Sequence, residues 1–171
     1  KFIMKLLKDI WIIGGGQLQI PLIEEAKKLG YSTIVTDINP NCVCSDIADI
    51  FKDVDIFDIE SNISLYERSF KTDLSIEIVG VLAAGIDGHQ TMAYISNHMG
   101  LVSVSPKIAD LVINKDLFRE RMKKLGLETP RFKSITINDI PNLKNLTDQI
   151  GYPLIIKNTS RKGRLFCESS Q

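Results

Sequence analysis

Short apolar runs alternate with amphipathic stretches along the first hundred residues. Ile10-Trp-Ile-Ile13 is apolar at every position, as a strand covered on both faces of a sheet must be. Gly14, Gly15 and Gly16 cut it off, and a helical stripe of Leu18, Leu22, Ala26 and Leu29 follows. Gly30 suits the residue after a helix end, and Pro21 falls in the first turns, where a missing N–H matters least. Ser32 to Val35 reads as a second strand ending at Asp37, with a turn at Asn39-Pro40. Ala48 to Ile56 offers a short helix end and a third strand, Ser64 to Phe70 a helix, and Ile76 to Ala84 a long buried fourth strand. Gly85-Ile-Asp-Gly88 then turns into a helix over 90–99, stopped by Gly100. Four strand and helix repeats of this kind predict an α/β, Rossmann-like half with a parallel sheet.

The rhythm changes after Ser105-Pro106. Lys107 to Ile113 predicts one helix and Asn114 to Leu125 another, with Phe118, Met122 and Leu125 on its apolar face, Gly126 at its end and Pro130 beyond. A strand near Phe132 to Ile135, a helix over 139–150 with Pro141 early in it, and a strand from Pro153 to Lys157 complete the pattern. Strand, helix and strand without the earlier parallel order predict a second, α+β unit. The expected division is 1–104, 105–130 and 131–171.

Composition narrows the partners. The 171 residues carry 21 Lys plus Arg against 21 Asp plus Glu, so no net field favours nucleic acid or an anionic membrane. No apolar run approaches the roughly 20 residues of a membrane span. Lys5, Lys8 and Asp9 break the N-terminal apolar stretch before it can serve as a secretory signal, which makes the cytoplasm the expected location. Met4 reads as a natural start. Cys42-Val-Cys44 is too tight for a bridge or a zinc knuckle, so Cys42, Cys44 and Cys167 are expected to be free thiols. His89 and His98 lie nine residues apart on one helix, on roughly opposite faces, and make no joint metal site. The Arg161-Lys-Gly-Arg164 cluster reads as a solvated loop.

Three places could carry chemistry. The Gly14, Gly15, Gly16 turn, with Gln17 behind it, joins a first strand to a first helix and so gathers N–H groups where an anion binds. With Asp37 about 20 residues on, it imitates the dinucleotide fingerprint, although Gln19 stands where that pattern has its third glycine and would obstruct close helix packing. Lys115 sits in the first turn of its helix, where a cation opposes the macrodipole; it either reaches into solvent or faces a phosphate. Lys157 ends an apolar strand, either snorkelling or aimed at a ligand.

Taken together, Ser105-Pro-Lys-Ile-Ala-Asp110, Asn114-Lys-Asp116, Lys124-Leu-Gly-Leu-Glu-Thr-Pro130 and Gly151-Tyr-Pro-Leu-Ile-Ile-Lys157 resemble the ATP-grasp superfamily. The likeness is to enzymes similar to the carbamoyl-phosphate synthase large subunit and to carboxylate-amine ligases. Ile13-Gly-Gly-Gly-Gln-Leu18 and Asp37-Ile-Asn-Pro40 resemble the pre-ATP-grasp domain that precedes the catalytic fold, so the likeness runs over residues 8 to 158. It implies that Lys115 and Lys157 contact ATP phosphates; the glycine turns end parallel strands, where open sheets bind ligands, so the carboxylate substrate or its anion is expected near Gly14, Gly15, Gly16, Gln17, Asp37, Gly85 and Asp87. It implies magnesium-ATP chemistry through an acyl phosphate, with magnesium ligands and the adenine hinge outside this chain and no catalytic residue assigned within it. Asn158 stands where the family has proline, the lid glycines shrink to Gly163, and 165–171 does not resemble the strand after the lid. The chain then reads as an N-terminal part, inactive alone, of a protein for which a homodimer is one arrangement. The alternatives are a Rossmann domain binding NAD(H) or another nucleotide without ligase activity, and a non-catalytic binding remnant.

Overall fold

The computed structural model describes residues 8–157 together with the strand at 164–167. Two compact units divide the chain, Lys1–Ala109 and Asp110–Gln171. In the first, β1 (Asp9–Ile13), β2 (Ser32–Asp37), β3 (Ile50–Asp53) and β4 (Ile78–Leu82) form a parallel sheet in the order β3-β2-β1-β4. The central strand explains its own composition. Side chains alternate across a pleat, so Trp11 and Ile13 enter one core with Ile34, Phe70, Val81 and Ile95, while Ile12 enters the other with Ile23, Val35, Cys42 and Cys44. Trp11 is fully buried; its ring meets Phe70 edge-on at 5.3 Å and its Nε1–H donates to Thr36 Oγ1 at 3.1 Å.

Several elements differ from their expected form, each for a local reason. A 3₁₀ turn over Gln17–Gln19 precedes α1 (Ile20–Lys28), and its three-residue period breaks the phase of the expected stripe. Ile23 and Ala26 are buried, whereas Leu18 and Leu29 are 66% and 74% exposed. The segment after β2 forms turns rather than a helix end at Ala48. The helix expected from Ser64 begins earlier, as α2 (Ile59–Leu65), because Asp58 caps it by accepting from the Ser61 N–H; a π-helical turn, Tyr66–Phe70, finishes it. β4 is shorter than the run from Ile76 to Ala84 and only partly buried, since among the described residues it pairs on one side alone and forms the sheet edge. α3 (His89–His98) runs from Gly88 and ends before Gly100 as expected.

α4 (Pro106–Ile113) straddles the division between the units. The second unit contains α5 (Lys115–Lys124), α6 (Leu143–Ile150) and an antiparallel pair, β5 (Leu154–Lys157) with β6 (Arg164–Cys167). The expected strand at Phe132 to Ile135 is irregular chain, because no ladder partner lies beside it among the described residues. The single helix expected over 139–150 is a 3₁₀ turn, Ile137–Asn142, followed by α6; Pro141 has no N–H for a longer α ladder. β5 is not buried on both faces: Leu154 is buried but Ile155 is 49% exposed, as suits a two-stranded pair. Strand β6 has no counterpart in the sequence pattern. Among the described residues of this unit Leu154 is the one buried apolar side chain, so its core is thin.

The Trp11 hydrogen bond gives a direct test of the first unit. Thr36→Val keeps the side chain's shape but leaves a fully buried indole N–H without its acceptor, which costs about 1–3 kcal/mol. Urea unfolding is expected to show a lower midpoint with unchanged slope. An unchanged midpoint would mean that the bond contributes nothing.

Candidate functional site

In the second unit, local sequence brings cations together. Asn114 caps α5, its Oδ1 accepting from the N–H groups of Asp116 and Leu117 at 3.1 Å each, and this fixes Lys115 in the first turn. Four residues on, Arg119 lies on the same helix face. Lys115 and Arg119 line a recess of about 310 Å³ with Lys157, which arrives from the far end of β5. Val112, Phe118 and Met122 supply its apolar lining, and Glu128 is its one carboxylate among the described residues. Three cations against one anion give this recess a local positive excess in a chain without net charge. Its volume is at the lower end of the roughly 300–1,000 Å³ usual for small-molecule sites.

Lys115 and Lys157, separated by 42 positions in the chain, therefore face one space. Arg119 is a member that the sequence pattern did not single out. The available signal was its spacing: a residue four beyond Lys115 on a helix shares its face. The guanidinium carbon lies 5.7 Å from the centroid of the Phe132 ring, in the range of a cation–π contact.

In the first unit, the glycine turns after β1 and β4 meet, because these strands are parallel neighbours and both turns leave the carboxyl end of the sheet. A Cβ on Gly14 would lie 2.8 Å from Ile86 Cδ1, and one on Gly85 2.9 Å from Leu18 Cβ. Gln19, which the fingerprint would make glycine, is buried and donates through Nε2 to Ala84 O, tying the two turns together. It fills the space that it was expected to obstruct. Gln17 is exposed, and Asp87 is partly buried in the second turn.

The N–H groups of the first turn are partly engaged. Gly14 N–H donates to Thr36 O at 2.8 Å and Gly15 N–H to Asp37 Oδ2 at 2.8 Å, while Asn39 N–H donates to Asp37 Oδ1 at 2.9 Å. Two of the three amides expected to receive an anion thus already have protein acceptors, and Asp37 braces the loop. Cys44 holds the outer side: its N–H donates to Gly15 O at 3.1 Å and its Sγ to Gly16 O at 3.3 Å. Burial first, then nearby Cys42 and Asp37, pushes the Cys44 thiol up to about 11. Both Cys42 and Cys44 are free and buried.

Other candidate groups do not gather. His89 and His98 stand at opposite ends of α3, and His98 Nε2 lies 2.8 Å from Glu67 Oε1. Among the described residues no group of three His, Cys, Asp or Glu side chains could hold a metal ion, and no helix is long and apolar enough to cross a membrane. The residues from Asn158 to Gly163, including the reduced lid loop, and the thiol of Cys167 lie outside what the structure describes.

Two measurements check this loop. A methyl on Gly15 would overlap Cys42 Sγ, so Gly15→Ala is expected to destabilise the fold by about 1–3 kcal/mol, read by thermal or urea unfolding; wild-type stability would contradict the packing. At pH 8 the Cys44 thiol is protonated as well as buried, so iodoacetamide should modify it only on unfolding. Rapid labelling at Cys44 itself in the native protein, located by peptide mapping, would contradict that environment.

Comparison with known proteins agrees with this architecture. The family described as the ribonucleotide synthetase preATP-grasp domain matches residues 7–86. Over 161 residues the chain is 27% identical to N5-carboxyaminoimidazole ribonucleotide synthase of Staphylococcus saprophyticus, covering 90% of this chain and 38% of that protein. It is 24% identical over 166 residues to the carbamoyl phosphate synthase large chain of Archaeoglobus fulgidus, covering 88% of this chain and 15% of that one. The fold matches N5-carboxyaminoimidazole synthetase from Staphylococcus aureus, solved in complex with ADP, with a TM-score of 0.71 at 22% identity, over 96% of this chain and 43% of that one. The chain spans less than half the length of these relatives. Residues 7–86 thus match a preATP-grasp domain, and the chain as a whole is similar to part of these synthases and of the carbamoyl phosphate synthase large chain.

Proposed function

We propose that this chain is the N-terminal part of a cytoplasmic, ATP-dependent ligase that activates a small carboxylate as an acyl phosphate for attack by an amine or similar nucleophile. The observation that carries the reading is the shared recess of Lys115 and Lys157. Polyphosphate charge in a partly dry cleft needs cations placed to meet it, and two lysines from separate elements answer that need. The carboxylate oxygen attacks the terminal phosphorus and ADP leaves; the nucleophile then attacks the activated carbonyl and inorganic phosphate leaves. The lysines hold the phosphates in place through the first step, a contribution of positioning and charge rather than proton transfer.

The remaining assignments follow from the same reading. We take residues 1–104 as the pre-ATP-grasp domain, 105–130 as linker helices and 131–171 as the start of the nucleotide-binding subdomain. The carboxylate is assigned to the joined glycine turns, near Gly16, Gln17, Gly85 and Asp87, since open parallel sheets take ligands at the carboxyl ends of their strands. Magnesium would neutralise phosphate charge, and its ligands are assigned outside this chain, as the family resemblance implies. A homodimer is the assembly we take for the whole protein. The NAD(H) alternative has less support, because Gln19 fills the third glycine position and the Asp37 carboxylate braces the loop.

Binding of ATP to this chain, followed by calorimetry at low ionic strength, tests the assignment. A charged hydrogen bond contributes about 1.5–3 kcal/mol, so Lys115→Ala and Lys157→Ala should each weaken ATP binding by about tenfold or more. Wild-type affinity in both variants would overturn the site.

A further inference from the structure

We infer that Arg119 is a third polyphosphate ligand of the recess, and that Phe132 is a positioning residue that holds its guanidinium plane. The inference rests on the reading of the recess as a phosphate site and adds a residue that the sequence pattern did not single out.

Arg119 lies one helical turn beyond Lys115 and lines the same recess as Lys115 and Lys157. No ion pair joins its guanidinium to a carboxylate among the described residues, although Glu128 lines the same space. Its contact is with Phe132, at 5.7 Å from guanidinium carbon to ring centroid. Contact through an aromatic face leaves the N–H groups at the edge of the guanidinium plane able to donate. Those donors form a rigid fork that matches two oxygens of one phosphate, whereas each lysine offers a single point charge. The irregular chain at Phe132 has a role in this arrangement. It brings an aromatic ring to a helix side chain thirteen positions earlier, at half-buried positions where a flexible arginine would otherwise sample many rotamers.

The recess would then hold two lysines for charge and one arginine for orientation, a set suited to a nucleoside triphosphate or another polyphosphate rather than to a neutral ligand. Glu128 opposes non-specific anion capture by keeping the local excess small.

The test is a titration of Arg119→Gln, Arg119→Lys, Phe132→Leu and Phe132→Trp with ATP and with inorganic tripolyphosphate, beside Lys115→Ala and Lys157→Ala. Melting curves by circular dichroism establish that each variant is folded. Arg119→Gln should weaken both ligands about tenfold or more, and Arg119→Lys should remain clearly weaker than wild type because the fork is lost. Phe132→Leu should weaken them about two- to fivefold, with recovery in Phe132→Trp, a pattern that a purely structural role would not give. If the lysine variants lose affinity while Arg119→Gln binds as wild type, the Arg119 assignment is overturned and the phosphate site stands. If none of the three cations matters, both fail together.

Discussion

The placement of β1 between β2 and β4 organises the first unit. Parallel pairing on both sides buries Trp11, Ile12 and Ile13 completely and leaves no face for a polar side chain except where a partner is supplied, as Thr36 is for the Trp11 indole. It also delivers the Gly14 to Gly16 turn and the Gly85 to Gly88 turn to the carboxyl end of the sheet, where Gln19 fastens them. Burial of a central strand and the joining of the two glycine turns are thus the same physical event. Interrupting β1 would release both.

The second unit works by different means. With Leu154 as its one buried apolar side chain among the described residues, it has little core to fix its elements, and its order comes from caps: Asn114 on α5, and the reciprocal Thr136 and Asp139 bonds ahead of α6. Gathering Lys115, Arg119 and Lys157 around one recess sets like charges against each other, and an anion among them relieves that repulsion.

The parallel sheet was legible because apolar runs bounded by glycine and separated by amphipathic stretches admit few other folds. Position within the sheet was harder to read: Ile78 to Leu82 has the composition of an interior strand, yet it forms an edge, and composition does not encode the number of neighbours. Phase was lost at the Gln17–Gln19 turn, where three residues per turn displace the stripe that Leu18 and Leu29 suggested. At the sites, spacing pointed to Lys115 and Lys157 only through the family resemblance. Arg119 was legible only as a residue four beyond Lys115 on one helix face; its contact with Phe132 comes through irregular chain that no periodicity predicts. The double use of Asp37, one oxygen for Gly15 and one for Asn39, likewise needs the folded loop.

The central claim is that Lys115 and Lys157 serve one anion. Lysine side-chain NMR resonances, assigned by single Lys→Arg substitutions and followed during titration with tripolyphosphate, test it most directly. The account predicts that the Lys115 and Lys157 signals move together along one saturable isotherm while most other lysines stay still. Signals that do not move, or that follow separate isotherms, would contradict a shared site.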